Sequence, residues 1–401
     1  MLRNNKKHIE LETNSVHFNK AVLAPARITQ AAAQYPVLKQ APKQGALLTL
    51  LWMLVFAASL GVTAKALGQE QERERQAPTA SLTDFSAAQR AAQALPRLQS
   101  LLISQHGEVL FEEYFGDTNP RRPANMKSAS KSVISALVGL AIDQGYIESV
   151  DVPIATFFPE YISPERNADK TGITVENLLT MQSGLETTSN RNYGRWVLSN
   201  NWIEFAIEQP LVAEPGTRML YSTGSTHLLS AIITRATGMS TRDFAQQALT
   251  QPLGFSMSYW SQDPQGIYFG GNDMEWTPQQ MLAFGEMYLN NGRVGQQQII
   301  PEAWVDVSHQ PHARSPRGQG RFYGYGWWLR DLAGLQVPVA WGYGGQLIFV
   351  VEEFAMVIVA TSDSEPGPSR RGHLGDLYDL VEEQILKPVS RAERGTFSGG
   401  E

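Results

Sequence analysis

The sequence predicts an α+β fold, in which an antiparallel sheet is flanked by helices and a mainly helical lobe is inserted between the outer strands. The segments that read as strands lie at the two ends of the folded region, and helical patterns fill most of the sequence between them. The chain has 401 residues, of which 42% are hydrophobic and 18% charged, and this suits one large domain or two ordinary ones. In such a fold an active site is expected in the cleft between the sheet and the inserted lobe.

The outer strands are predicted from two pairs of apolar runs. Residues 101–104 and 109–115 flank a turn around Gly107, which is the pattern of a β-hairpin. Two further runs rich in β-branched residues, 347–351 and 355–361, are separated by a short connection. Strands from the two ends of the domain are therefore expected to pair within one sheet.

Helices are predicted between and after these strands. Their apolar residues recur at helical spacing, and several of the segments stop at a glycine, as helices often do. The predicted helices cover residues 130–145, 173–184, 225–238, 277–292 and 376–386.

The first part of the chain is predicted to attach this domain to a membrane. Residues 1–45 carry seven Lys or Arg and two Glu, and we expect them to form a basic cytoplasmic segment. Residues 44–64 contain no charge, and 21 helical residues span about 31 Å, so residues 46–64 are predicted to be a transmembrane signal anchor. A signal peptide cleaved near Ala64-Lys65-Ala66 is the alternative, which would give a secreted protein.

The anchor prediction places the rest of the chain on the outer side of the inner membrane, facing the periplasm. Residues 65–94 are polar and rich in Ala and Gln, so they are interpreted as a linker with some helical content and no part in a core. The working domain is expected over residues 95–390, followed by a flexible tail at 391–401.

Composition and missing motifs exclude several classes of function. A net charge of −6 argues against a nucleic-acid binder, and the absence of Cys excludes disulfides, thiolate nucleophiles and Cys-ligated metals. The sequence has no G-x-S-x-G, Walker, G-x-G-x-x-G or H-E-x-x-H motif, which weighs against α/β-hydrolases, P-loop NTPases, Rossmann enzymes and zincins. His309 and His312 are the only close His pair, and Pro311 between them indicates a loop, so neither a metal nor a cofactor is expected.

One pattern points to nucleophilic catalysis. Ser128-Ala129-Ser130-Lys131 is the only S-x-x-K in the chain, and it lies where a helix is predicted to begin. Because three residues make almost one helical turn, Ser128 Oγ and Lys131 Nζ share a face, and the helix N-terminus favours negative charge near the serine. A lysine desolvated there can lose its proton and act as a base toward the hydroxyl. The alternative is an N-cap serine followed by a solvated lysine.

Two later sequence elements favour the catalytic interpretation of the S-x-x-K pattern. Tyr221 lies in the run 215–224 just before a predicted helix, where it can relay a proton in a cleft; the alternative is a core tyrosine. The run W-G-Y-G-G-Q at 341–346 leads into a predicted strand, and its glycines suit either close approach by a substrate or a tight turn. A backbone N–H in this run, paired with that of Ser128, would form an oxyanion hole.

The order of S-x-x-K at 128–131, Y-S-T at 221–223 and G-Y-G-G-Q at 342–346 resembles the serine β-lactamase/penicillin-binding-protein superfamily. The resemblance is to its class C-like branch, which includes family VIII esterases, D-alanyl-D-alanine carboxypeptidases and 6-aminohexanoate-dimer hydrolases, and it covers about residues 98–385. It implies a β-lactamase/transpeptidase-like fold and a serine hydrolase that cleaves an amide or ester of a small molecule through an acyl-enzyme. A D-Ala-D-Ala carboxypeptidase, a β-lactamase, or a non-catalytic protein that binds peptidoglycan or a partner is the alternative.

The resemblance also implies a role for each motif residue. Ser128 is the expected nucleophile, Lys131 and Tyr221 share proton handling, and the N–H groups of Ser128 and Gln346 form the expected oxyanion hole. Substrate contacts are expected from Thr223, Tyr343, Gly344 and Gly345. Two further short matches, Lys170-Thr171-Gly172 and Tyr288-Leu289-Asn290, lie in predicted helical context and are assigned to structure.

Two departures from the family pattern bear on the substrate. Thr223 stands where the family usually has Asn, and Tyr343 stands where penicillin-binding enzymes have Lys. A neutral hydroxyl binds a carboxylate less strongly than a cation does, so we expect a poor β-lactamase that prefers short esters or linear amides. Arg218 or Arg330 is an alternative source of the missing cation.

Overall fold

An eight-stranded sheet organises the fold of this protein. The computed structural model describes residues 84–316, 318 and 320–397, and these described residues belong to one compact unit. The strands are β1 (Leu98–Gln105), β2 (Glu108–Tyr114), β3 (Ala124–Asn125), β4 (Glu275–Trp276), β5 (Arg293–Val294), β6 (Gln297–Gln298), β7 (Ala313–Arg314), β8 (Arg321–Tyr323), β9 (Trp328–Leu332), β10 (Leu335–Gly342), β11 (Gln346–Val351) and β12 (Met356–Ser362). The main sheet has the order β2-β1-β12-β11-β10-β9-β8-β7, while β3 pairs with β4 and β5 with β6.

The two ends of the domain meet in this sheet. Strand β1 is antiparallel to both β2 and β12, and the other neighbouring strands of the main sheet are antiparallel too. The hydroxyl groups of Ser100 and Thr361, on β1 and β12, are hydrogen bonded at 2.6 Å. The predicted antiparallel sheet, its pairing of first and last strands and the hairpin around Gly107 are therefore confirmed.

Helices cover both faces of the sheet and make up most of the inserted lobe. They are α1 (Ser86–Gln93), α2 (Ser130–Asp143), α3 (Val175–Leu179), α4 (Tyr193–Val197), α5 (Trp202–Ile207), α6 (Thr223–Thr237), α7 (Thr241–Ala245), α8 (Pro278–Leu289), α9 (Glu302–Ser308), α10 (His373–Val381) and α11 (Lys387–Phe397). Wider π-type turns continue α7 through Gln246–Thr250 and join α10 to α11 through Glu382–Leu386.

The sheet is buried on both faces because its side chains alternate between two cores. Phe349 and Val350 are neighbours on β11, and they belong to different hydrophobic clusters. Val350 packs in the core that contains α2, α8 and the inserted lobe, whereas Phe349 packs in the core that contains α1 and α10. Nearly continuous apolar strands, such as 346–351, are the sequence signature of this double burial.

Most predicted helices are confirmed, with one shorter than expected. Helices α2, α6 and α8 match the predictions for 130–145, 225–238 and 277–292. The segment predicted over 173–184 forms only α3, which begins with a capping box at Thr174. It ends early because Met181 takes a left-handed backbone conformation, and its carbonyl then accepts the Leu220 N–H at 2.7 Å.

The folded domain extends beyond the predicted limits, residues 95 and 390, at both ends. Helix α1 lies inside the segment interpreted as a linker, yet Phe85, Ala88 and Ala92 are buried in the core beside the sheet, and the Phe85 ring packs against Phe111. This contact was not predicted, because two of the three buried side chains are alanines, which form only a weak apolar pattern. At the other end α11 runs to Phe397, into the segment expected to be a flexible tail.

The predicted membrane segment lies outside the residues that the structure describes, as do residues 1–45 and 65–83. Within the described part of the chain, no helix combines the length and the apolar character needed to cross a membrane.

Candidate active site

Ser128 and Lys131 lie at the start of the helix that runs beneath the cleft. A single 3-10 turn, Lys127–Ala129, leads directly into α2, so Ser128 Oγ and Lys131 Nζ lie on one face and are 3.1 Å apart. Lys127, just before the serine, has a left-handed backbone (φ 50°), and its N–H is bonded to Asn125 Oδ1 at 2.9 Å. A strained non-glycine residue at this position fixes the direction in which the next side chain leaves the backbone.

Lys131 is a buried lysine with three hydrogen-bond acceptors and no carboxylate partner in the described residues. Its side chain is 1% exposed, and Nζ lies 2.8 Å from the Gly271 carbonyl oxygen and 3.3 Å from Thr223 Oγ1, besides Ser128. Burial lowers the pKa of Lys131 to about 7, because the charged ammonium is poorly solvated there. The lysine is therefore poised to exchange a proton near neutral pH.

Tyr221 lies beside this pair. It is in the short loop before α6, and Lys131 Nζ is 5.3 Å from the centre of its ring. The ring stacks on Trp328 of β9 with centroids 5.5 Å apart, and it meets the edge of Tyr323 at 6.1 Å. These two aromatic contacts hold the tyrosine against the sheet on the cleft side, where it lines the cavity.

Thr223 contacts the lysine from the first residue of α6. Its hydroxyl lies 3.0 Å from Ser189 Oγ, and its backbone N–H donates to the same oxygen at 2.9 Å. Ser189 was not predicted, since an isolated serine between loops carries no motif. Thr223 also lines the cavity, although only 5% of its surface is exposed.

The run 341–346 forms the tight turn between β10 and β11. Gly344 and Gly345 both have left-handed backbones, and a Cβ on either would lie within 2.7 Å of Ser364 or Leu377. These glycines are therefore required by the turn itself, and neither lines the cavity. Gly342 packs against the carbonyl of Met126, so the turn lies against the segment that carries Ser128.

Gln346 and Tyr343 occupy different surroundings in this turn. The Gln346 side chain is buried and bonded to the Ser362 backbone, with Nε2 2.5 Å from its carbonyl oxygen, so any contact with a substrate would come from its backbone N–H. Tyr343 is 43% exposed and lines the cavity. The guanidinium of Arg370 lies over its ring at 5.3 Å, which brings a cation to this position from a distant part of the sequence.

These residues surround a cleft of about 750 Å³, within the usual range for sites that bind small molecules. Ser128, Tyr221, Thr223 and Tyr343 line it, together with Trp328 and Trp341 from the sheet. The charged side chains in the lining are mostly cations: Lys127, Arg218, Arg321 and Arg330, against Asp273.

The residues assigned to structure have structural contacts. Lys170 Nζ bonds the Ile207 carbonyl at 2.7 Å, and Tyr288 is buried against Trp327, with ring centroids 4.7 Å apart. His309 is paired with Glu352, and His312 lies 2.8 Å from the Val307 carbonyl oxygen. None of these side chains lines the cleft.

An antiparallel sheet between two helical layers, with S-x-x-K and a tyrosine loop meeting in one cleft, defines a β-lactamase/transpeptidase-like fold. The profile of the Beta-lactamase family matches residues 82–382, and the chain belongs to that family. The resemblance read from the motifs is thereby confirmed.

Individual relatives include an esterase and a β-lactamase. Esterase EstB of Burkholderia gladioli is 23% identical over 233 residues, which cover 52% of this chain and 59% of the esterase. A beta-lactamase of Escherichia coli (strain K12) is 27% identical over 185 residues, which cover 43% of this chain and 45% of that enzyme. The chain thus spans about half the length of the curated relatives that it matches.

Solved structures share the fold at low sequence identity. A Bacillus anthracis protein provisionally assigned as a 6-aminohexanoate-dimer hydrolase superposes with a TM-score of 0.63 and 20% identity, over 74% of this chain and 80% of that one. EstCE1, a hydrolase with promiscuous acyltransferase activity, gives a TM-score of 0.60 at 18% identity, over 77% of this chain and 97% of that one.

Proposed function

We propose that this protein is a serine hydrolase that cleaves an ester or amide of a small molecule through an acyl-enzyme on Ser128. The observation that carries the proposal is the 3.1 Å contact between Ser128 Oγ and the buried Lys131 Nζ. Family membership and an esterase among the relatives support the same class of reaction.

The hydrogen bonds of Lys131 favour proton transfer from Ser128. An ammonium can donate to all three of its acceptors, but a neutral amine has one lone pair and must accept one hydrogen bond. The Gly271 carbonyl can only accept, whereas the Thr223 hydroxyl can donate instead to Ser189 Oγ. The lone pair is then directed at the Ser128 hydroxyl, which is the arrangement that a general base requires.

The reaction follows from this arrangement. As Ser128 Oγ attacks the substrate carbonyl, its proton passes to Lys131, and the oxyanion is held by the N–H groups of Ser128 and Gln346. Tyr221 relays the proton to the departing alcohol or amine as the carbon–leaving-group bond breaks. Water then attacks the acyl-enzyme with the same groups acting in reverse, which releases the acid and restores the Ser128 hydroxyl.

Covalent labelling tests this proposal. A fluorophosphonate probe should label the wild-type protein and fail to label Ser128→Ala, whereas Ser364→Ala, which removes another serine that lines the cleft, should still be labelled. Labelling of Ser128→Ala, confirmed by mass spectrometry at another residue, would refute the assignment. Burst release of p-nitrophenol from p-nitrophenyl butyrate separates an enzyme from a protein that only binds ligands.

We also propose that the enzyme faces the outside of the inner membrane. The support comes from the sequence: 21 uncharged residues at 44–64 follow a segment with seven Lys or Arg and two Glu. Secretion after cleavage near Ala66 remains the competing outcome of its test, given in the Discussion.

A further inference from the structure

Arg330 is an arginine of the cleft whose guanidinium lies on an aromatic ring. Arg330 lines the cavity and is half-buried, and among the described residues it makes neither a salt bridge nor a hydrogen bond. Its guanidinium carbon lies 4.1 Å from the centre of the Tyr378 ring. A guanidinium on an aromatic face keeps its N–H edges free, and those edges match the plane of a carboxylate.

A second arginine faces the first. Arg321 on β8 is the direct cross-strand partner of Arg330 on β9, and both line the cleft. Like charges directly opposite each other destabilise a sheet, and burial further disfavours the charge on Arg330, whose pKa is lowered mainly by desolvation. Arginine stays charged in proteins. A bound anion would therefore reduce both the repulsion between the two guanidinium groups and the free-energy cost of burying the charge of Arg330.

The position of Arg330 defines how far such an anion lies from the reacting bond. Trp328, whose ring stacks on Tyr221, is two residues before Arg330 on the same strand face, a separation of about 7 Å. Val337, the β10 partner of Arg330, is five residues from Gly342 at the turn near Ser128, or about 16 Å along the strand. An anion at Arg330 therefore lies several bonds away from a carbonyl held at Ser128.

We propose that Arg330 binds a carboxylate remote from the scissile bond, so that the preferred substrates are esters or amides that end in a carboxylate. This inference rests on the proposed hydrolase and specifies its substrate class. The hydroxyl of Tyr378, which is buried and has no hydrogen-bond partner in the described structure, lies on the ring that supports the guanidinium and offers a further donor.

Substrates that differ only in charge test the proposal. Mono-p-nitrophenyl adipate and suberate are compared with their methyl esters, which have the same chain but no carboxylate. A second pair carries the carboxylate on the leaving group: 3-(4-acetyloxyphenyl)propanoate and its methyl ester. In at least one of these series kcat/KM should favour the acid about ten-fold, and Arg330→Gln should bring the ratio of kcat/KM for the acid to that for its methyl ester close to one.

Two variants control for folding and for general charge effects. Arg330→Lys keeps the cation and should retain part of the preference, so a loss seen only in Arg330→Gln cannot be ascribed to misfolding. Arg195→Gln removes an exposed arginine that does not line the cleft, and it should leave the preference intact. If wild-type enzyme hydrolyses the methyl esters and shows no preference for any acid, the carboxylate site is refuted and the hydrolase proposal stands.

A binding measurement covers the case in which no ester is turned over. Suberate is titrated into wild-type protein and Arg330→Gln by isothermal calorimetry. Saturable binding that weakens about ten-fold in the variant supports the carboxylate site even if the hydrolase proposal fails. Equal binding to the two proteins, or none to either, refutes it.

Discussion

The Gly271 carbonyl oxygen accepts a hydrogen bond from Lys131 Nζ at 2.8 Å, across 140 residues of sequence. The same residue has a left-handed backbone (φ 102°), and a Cβ added to it would lie 2.8 Å from that nitrogen. Gly271 therefore both positions the lysine and leaves the space that the lysine occupies.

Gly271→Ala should reduce kcat at least ten-fold, because the added methyl group displaces Lys131 from Ser128. Gly238→Ala is the matched control, since Gly238 is also left-handed but has open space around its Cβ position. Both variants place Ala in a left-handed backbone, and Gly271→Ala should lose more stability because its Cβ also meets Thr226 and Lys131. When kcat is measured well below both melting temperatures, only Gly271→Ala should lose activity. Equal kcat values for the two variants would contradict the positioning role.

The activity should rise with pH through the pKa of Lys131. Burial lowers that pKa to about 7, and the base must be neutral to accept the Ser128 proton, so kcat/KM should increase from pH 5.5 and level off above about pH 8. The pH profile is measured with p-nitrophenyl butyrate, because this ester has no ionisable group and the profile then reports on the enzyme. A rate that is flat between pH 5.5 and 8 would argue against Lys131 as the base.

The burial of Lys131 should also lower the free energy of unfolding, by an amount that depends on pH. The pKa is about 7 in the folded state and near 10.5 when unfolded, so the unfolded chain binds the proton more strongly. The loss in the free energy of unfolding is greatest below pH 7, and it decreases as the pH rises toward 10.5. Lys131→Met should therefore abolish turnover yet raise the melting temperature, with a larger increase at pH 6 than at pH 10. A melting temperature lowered equally at both values would contradict this account.

The enzyme should prefer short esters to β-lactams. The carboxylate of a β-lactam lies beside its scissile amide, where this chain has Tyr343, and the exposed Arg370 on that ring contributes only weakly. Tyr343→Lys should shift the ratio of kcat/KM for a chromogenic cephalosporin over p-nitrophenyl butyrate by about ten-fold toward the cephalosporin. Tyr259→Lys, which changes a 60% exposed tyrosine that does not line the cleft, is the control. A wild-type preference for the cephalosporin would overturn the prediction.

The full chain should be held in the membrane by residues 46–64 with its N-terminus inside. Protease added to spheroplasts should release a domain that starts before α1, since Phe85 is buried in its core, and leave a membrane-bound stub. A mature soluble protein that begins after Ala66 would show instead that the segment is a cleaved signal peptide.

The sequence predicted those parts of the site that local spacing determines. Ser128 and Lys131 are one helical turn apart, so any helix that starts there brings them together. Tyr221 was identified from its place before a helix and from family order, and its contact with Trp328 could not be read from spacing.

Other parts depend on contacts that leave no local pattern. The Gly271 carbonyl belongs to the backbone, so no side chain marks it in the sequence. Arg330 was only one of two cations that the sequence offered, and its position opposite Arg321 depends on the pairing of β8 with β9. The extent of the domain was underestimated for a related reason: Ala88 and Ala92 bury little area, and a stripe of small side chains resembles a linker.

The bond between Ser100 and Thr361 has a consequence for the synthesis of this protein. The two residues are 261 positions apart, and β1 lies inside the sheet, between β2 and β12. The edge of β1 that pairs with β12 therefore stays unpaired until nearly the whole domain has left the ribosome. Contacts between residues so far apart in the sequence form slowly. During that time the hairpin of β1 and β2 exposes an apolar edge that a chaperone or a translocation channel can hold, and truncation before β12 should give an aggregating product instead of a smaller folded one.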